Sequence, residues 1–240
     1  MIKNNDFCRK IILDIETTGM NFSGPFYKGH KIIEIGAVEL FNRNLTGKNF
    51  HVYINPDRII DDKAFKIHGI ADNFLKDKPK FSDIFIDFLK FIKNSEIIIH
   101  NAKFDIGFLN YELNNLKLNI QSVNEICKIT DTLKIARNMF PGKKNSLDAL
   151  CSRLDISIRE RFLHSAILDA QLLAKVYLIL TSIQKKILFK EDLNNNNYKD
   201  YVYFNSEIFL KKANLKEKNL HESYIKKIRK KTGFCLWKNK

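Results

Sequence analysis

The stretch "ILDIETTG" at residues 12–19 ends an apolar run with two carboxylates, Asp14 and Glu16, one residue apart. Side chains alternate along a strand, so both acids project from one face and Ile15 from the other. Like charges held this close raise each other's pKa unless a cation neutralises them. Hard divalent ions such as Mg²⁺ and Mn²⁺ prefer carboxylate oxygens, so a metal site would keep both ionised. A solvated strand end is the other reading of this pair taken alone. Two later stretches add to the set. "HNAKFDIGFLN" (100–110) puts Asp105 near the start of a helix, and "HSAILDAQLLA" (164–174) puts His164 at another, with Asp169 five residues on. Five residues are about 1.4 helical turns, so these two reach a common cleft only if His164 lies on the entry loop. Four carboxylates can hold two divalent ions about 3.5–4 Å apart, and a histidine titrating near neutrality can take the proton of an attacking water. The chemistry that needs this combination is two-metal phosphodiester hydrolysis.

The elements that must position these groups follow from local periodicity. "KIILDIE" (10–16), "KIIEIGAVELF" (31–41) and "KNFHVYIN" (48–55) are β-rich, with the turn-prone "NRNLTG" between the last two; three such runs in succession predict an antiparallel meander. From residue 81 the period changes, with Phe81, Ile84, Phe85, Phe88, Phe91 and Ile92 falling on one helical face. "EIIIH" (96–100) is short and apolar, a buried strand. A helix over 103–116, a strand over 126–130, a helix from Asp131 to Phe140 stopped by Pro141-Gly142, a short helix in "SLDALCSRLDI" and a long one over 164–181 complete the series. The expected fold class is α/β, a mixed β-sheet flanked by helices. After about residue 190, "KEDLNNNNYKD" is polar and reads as a flexible linker. Beyond it Leu220, Tyr224 and Ile228 recur at four-residue steps among lysines, a basic amphipathic helix that needs something to dock on.

Composition narrows the class further. The 240 residues are 45% hydrophobic, enough for one sizeable core. No apolar run has transmembrane length and the first ten residues are polar, so a soluble, cytoplasmic protein with no membrane partner is expected. Four scattered cysteines without C-x-x-C spacing argue against a disulfide framework or zinc site. The net charge of +14 fits a polyanionic partner, and it equally fits the lysine enrichment of an AT-rich coding bias.

"DIETTG", "HNAKFDIGFLN" and "HSAILDA" resemble the three motifs of the DEDD exonucleases, in the subgroup whose third motif carries histidine. "GMNFSGPFYKGHKIIEIGAVEL", "LTGKNFHVYINPDR", "FKIHGIADNFL", "MFPGKKNSLDALC" and the terminal "CLW" extend the resemblance, to the proofreading (epsilon) subunits of bacterial DNA polymerase III. The resemblance implies a ribonuclease-H-like fold, a flexible linker with a small helical tail, two divalent cations (Mg²⁺ or Mn²⁺), and 3′→5′ exonuclease action on mismatched DNA ends. It assigns Asp14, Glu16 and Asp169 as direct metal ligands, Asp105 as the fourth acid partly through water, and His164 as general base. The substrate would meet Asp14, Glu16, Asp169, Thr17 in the turn that exits at Gly19, and His68, which matches a histidine beside the terminal nucleotide; without that role, His68 is a polar residue at a helix start. Where the family often has an acid shortly before that histidine, this chain has Lys63. "QKKILF" (184–189) resembles a sliding-clamp-binding peptide, with Gln184, Ile187 and Phe189 as its anchors. The implied organisation is an exonuclease domain over 1–183, a clamp motif and linker over 184–205, and a tail over 206–240 that binds the polymerase catalytic (alpha) subunit; a small accessory subunit stays open. Compact exoribonucleases such as ribonuclease T and oligoribonuclease share the acidic motifs, and a non-catalytic replisome adaptor is the remaining alternative.

Overall fold

The computed structural model describes residues 9–117, 122–158, 163–182 and 213–233. The chain divides into two units, Met1–Lys185 and Lys186–Lys240. In the first, a five-stranded sheet runs in the order β3-β2-β1-β4-β5. Its strands are β1 (Arg9–Thr17), β2 (Ile32–Phe41), β3 (Asn44–Tyr53), β4 (Glu96–Ile99) and β5 (Lys128–Asp131). The first three form the antiparallel meander, while β4 pairs parallel to β1 and β5 parallel to β4. The C-terminal ends of β1, β4 and β5 therefore open on the same side of the sheet, where open α/β sheets place their ligand crevice.

The turn between β2 and β3 is tighter than the expected "NRNLTG". Asn42 and Arg43 both have positive φ, 47° and 67°, and β3 already begins at Asn44. Two consecutive left-handed residues are what a two-residue hairpin of type I′ requires, because its twist matches that of the strands.

Helices cover both faces. α3 (Phe81–Ile92) and α4 (Ala102–Asn115) pack Phe81, Phe88, Ile92, Phe108, Leu109 and Leu113 against Ile11, Leu13, Ile15, Ile35, Ile97 and Ile99. The phenylalanine stripe of α3 is thus core, as its spacing predicts. Buried Glu112 fastens α4 to β2 by accepting from Lys31 Nζ at 2.9 Å and from the Ile32 backbone at 3.4 Å. On the opposite face α7 (Ala166–Leu180) lays Ala170, Leu173, Ala174 and Tyr177 on Ile12, Val38, Leu40 and Ile98. α5 (Thr132–Met139) and α6 (Leu147–Arg153) close that layer around Ala136, Leu150, Val176 and Leu180.

Two short helices have no counterpart in the expected series, α1 (Asp62–His68) and α2 (Asp72–Leu75). Each is under two turns, too short for a helical period to emerge from the sequence. The second unit contains α8 (Leu215–Thr232), opened by an Asn214–Glu217 capping box and closed by Gly233. On α8, Leu220 and Tyr224 are 61% and 68% exposed, while Ile225 is buried. The four-residue stripe thus faces outward at its first two positions.

α7 sits on the sheet where β2 has no side chain. A Cβ at Gly36 would stand 2.2 Å from Ala166 C and Ile167 N, the first turn of α7. Replacing Gly36 by alanine must therefore lift the helix that carries Asp169. Gly36→Ala is expected to cost roughly 3 kcal/mol, at the upper end of overpacking penalties, read as a lowered urea midpoint at unchanged slope.

Candidate active site

Asp14 and Glu16 leave β1 on the face that receives α7. Asp14 lies opposite Gly36 and Glu16 opposite Glu34 in the antiparallel register, while Ile15 points into the other core. The alternation required of the two acids is therefore realised. β1 ends at Thr17, whose hydroxyl bonds the Gly19 carbonyl at 3.1 Å, and the chain turns through Gly19 at φ +133°. That φ favours glycine on conformational grounds, whereas the Asp61 carboxylate tip, 2.6 Å from where a Cβ would stand, is exposed enough to swing aside.

α7 supplies the third motif. Its first residue is Ala166 and its N-cap Ser165, so His164 lies on the entry loop, the condition for sharing a cleft with Asp169. The His164 backbone is held by the Ile67 carbonyl at 3.1 Å, and its Nδ1 approaches Asp169 Oδ2 at 3.3 Å. Glu16, His164 and Asp169 each offer a ligand atom within 4.8 Å of one another, the metal-competent cluster among the described residues. Asp14 and Asp105 are not part of that set.

Asp105 comes from α4, on the other side of the sheet. The first turn of α4 projects past the end of β4, where the Ile15 backbone N–H bonds the Asp105 carboxylate. The side chain is buried and its pKa is pushed up to about 8, mainly by desolvation and further by the charge of Asp131, against the lowering effect of the Asp105 and Ile15 amides. The buried glutamates of the sheet and of α4 each face a cation or imidazole: Glu39 meets Arg9 at 2.5 Å, Glu96 meets Lys10, Glu112 meets Lys31 at 2.9 Å and Glu34 meets His51 at 2.8 Å. Asp105 has backbone amides alone among the described residues. A buried carboxylate held that way, beside further acids, fits an environment that a divalent cation completes.

His68 is not at a helix start. It is the last residue of α1, buried, and followed by Gly69 as the helix cap. Its Nδ1 accepts the Ile70 N–H at 3.0 Å, which places the proton of the neutral ring on Nε2. That nitrogen is buried beside the Thr17 backbone without a well-formed hydrogen bond. Burial lowers the His68 pKa, and nearby His164 lowers it further against the Thr17 backbone. Lys63 stands on the exposed first turn of α1, its Nζ 5.4 Å from the ring centroid of Phe22, which is 75% exposed. Gln184, Ile187 and Phe189 lie outside the described residues.

With these positions fixed, the chain can be set beside known proteins. A family model described as exonuclease matches residues 11–177. The DNA polymerase III subunit epsilon of Buchnera aphidicola subsp. Baizongia pistaciae is 53% identical over 236 residues, covering 95% of this chain and 96% of that protein. The Escherichia coli K12 protein of the same name is 50% identical, covering 96% and 97%. This chain belongs to the epsilon-subunit family of exonucleases. Among solved structures, exonuclease X in complex with 5′ overhanging duplex DNA aligns with TM-score 0.55 at 25% identity, over 71% of this chain and 90% of that one. The nuclease domain of 3′hExo, a DEDDh family member bound to rAMP, shares the fold with TM-score 0.61 at 17% identity, over 73% and 92%. The mixed sheet is thus the ribonuclease-H-like exonuclease sheet.

In this epsilon-family chain, Glu34 is a site-building residue that motif reading passes over. Its fully buried carboxylate accepts from Ser165 Oγ at 3.0 Å and from the Ala166 N–H at 3.1 Å, clamping the N-terminus of α7. An acid in the middle of the apolar run "KIIEIGAV" is the same signal that singled out Asp14 and Glu16.

The raised pKa of Asp105 has a definite sign. In metal-free protein the folded state keeps a proton that the unfolded state, near 3.8, releases. Stability is therefore fully present below the unfolded value and declines as pH rises toward about 8. In EDTA, Asp105→Asn should melt above the parent, with the gap widening from about pH 5 to pH 8; a gap that stays constant or narrows contradicts this origin of the shift.

Proposed function

We propose that this protein is the 3′→5′ proofreading exonuclease subunit of a replicative DNA polymerase III, removing mismatched 3′-terminal deoxynucleotides in the cytoplasm, at the nucleoid. The observation that carries the proposal is the convergence of Glu16, His164 and Asp169 within 4.8 Å, at the ends of elements from opposite halves of the exonuclease domain. Asp14, Glu16, Asp105 and Asp169 would hold two divalent cations, Mg²⁺ or Mn²⁺. When bound, these supply a polarised water and charge neutralisation at the scissile phosphate.

The remaining work falls to this chain's own groups. His164 has 43% of its side chain exposed, so it can take the proton from the attacking water and release it to solvent. Asp169 Oδ2, 3.3 Å from its Nδ1, orients the imidazole ring. His68, buried with Nε2 beside the Thr17 backbone, supports the turn at which the terminal nucleotide would sit. The bases need not be read: a mismatched end frays more readily, and unpairing costs only a few kcal/mol.

The direct test uses a primer with a mismatched 3′ end, in Mg²⁺, with products identified by mass spectrometry. The parent is expected to release the terminal deoxynucleoside monophosphate, and Asp14→Ala with Glu16→Ala to lower that rate by at least ~10³-fold, the scale of a lost charge-stabilising site. Equal degradation by the double variant overturns the metal-site assignment, and a preference for RNA over DNA moves the protein to the exoribonucleases.

The tail has a separate role. Residues 206–240 dock on the polymerase catalytic subunit and 184–189 on the sliding clamp, with the linker holding the exonuclease at high effective concentration near the primer end. The exposed Leu220 and Tyr224 of α8 support a docking function. Deletion from about residue 190 should leave nuclease activity intact and abolish co-purification with the polymerase; retained co-purification assigns the contact elsewhere.

A further inference from the structure

A groove of about 600 Å³ opens beside the acidic cluster, at the C-terminal ends of β4 and β5. His100, Asn101, Arg137, Lys143, Ser146 and Leu147 line it. None of these residues has a part in the chemistry above. Asn101 is the N-cap of α4, one turn or about 6 Å along the axis before Asp105. The groove and the acids therefore share one edge of the sheet, β4 lying about 4.8 Å from β1.

Its charge is positive and uncommitted. Arg137 and Lys143 are both exposed, and neither has a carboxylate partner among the described residues. Asp131, the acid nearby, accepts the backbone N–H groups of Asn101 and Leu133 at 3.1 and 2.9 Å. His100 is a wall rather than a ligand, since both its nitrogens are engaged, with Thr132 Oγ1 and the Asn145 carbonyl, each at 2.9 Å. Burial, the main effect, lowers its pKa.

The wall that carries Lys143 is rigid. Buried Asn145 donates to the Phe140 and Lys143 carbonyls at 3.2 and 3.0 Å and accepts from Arg153 at 3.2 Å, while Arg153 stacks 4.6 Å from the Phe140 ring centroid. Cations on a fixed wall bind an anionic chain with less ordering cost than cations on a free loop.

We propose that this groove is a phosphate-binding subsite for the single strand upstream of its 3′ end, with Arg137 and Lys143 contacting the phosphodiester backbone. The assignment rests on the exonuclease reading of the adjacent cluster and deepens it. It requires a substrate with several phosphates, contacted without regard to base sequence, and it gives part of the +14 net charge a specific location.

The test compares two substrates in Mg²⁺, a single-stranded oligodeoxynucleotide and the p-nitrophenyl ester of thymidine 5′-monophosphate, which has no upstream phosphate. The variant is Arg137→Gln with Lys143→Gln; the charge-matched control is Lys216→Gln with Lys218→Gln on α8. The groove variant should raise KM for the oligonucleotide roughly tenfold at unchanged kcat and reduce the slope of log KM against log salt by about 1.4. Ester hydrolysis should match the parent. An unchanged oligonucleotide KM and salt slope overturns the proposal, as does an equal effect of the control or a parallel loss of ester hydrolysis. A parent that cleaves neither substrate refutes the exonuclease reading instead.

Discussion

The first turn of α7 lies directly on the backbone of β2, and the active-site geometry depends on that contact. Gly36 leaves the gap, and Glu34, two residues earlier on the same face, accepts the Ala166 amide and the Ser165 hydroxyl at the helix N-terminus. A carboxylate is well matched to that helix end, where unpaired N–H groups carry partial positive charge. Because Gly36 pairs with Asp14 and Glu34 with Glu16, the strand that seats the helix also positions the acids beneath it. Asp169 follows one turn into α7 and His164 just precedes it. Displacing the helix would therefore move two of the three clustered groups relative to the third.

The carboxylates of this protein fall into two electrostatic kinds. Glu34, Glu39, Glu96 and Glu112 are buried, yet each faces a basic side chain, so each has a local partner that offsets part of its desolvation. They tie strands and helices together. Asp105 is equally buried and held by amides alone, which leaves it favouring its proton. Such a group destabilises the metal-free fold at neutral pH, and its retention makes sense where a cation completes the environment. The histidines divide similarly. His100 has both nitrogens committed to the fold, His68 is buried with Nε2 beside the Thr17 backbone, and His164 is partly exposed.

The local pattern made much of the architecture legible. The β-rich runs 10–16 and 31–41, the phenylalanine stripe of 81–92 and the apolar run 96–99 each correspond to an observed strand or helix, because elements buried in or against a sheet carry apolar runs or a helical period that is visible locally. The short helices α1 and α2 escaped, and with α1 the true setting of His68, since seven residues or fewer contain under two turns. The hairpin at Asn42-Arg43 also escaped, because Asn-Arg lacks the glycine that usually marks a two-residue turn.

The sequence by itself determined which side chains share a face: Asp14 with Glu16 by the period of a strand, and the family motifs that place Asp105, His164 and Asp169 at element ends. Tertiary structure alone decided which of them meet. The approach of the His164–Asp169 pair to Glu16, the arrival of Asp105 from the opposite layer, the clamp at Glu34 and the basic groove beside Asn101 all join residues dozens of positions apart. Those distances are set by how closely α7 and α4 pack on the sheet, and packing depends on the side chains of both partners at once, which no local stretch of sequence contains.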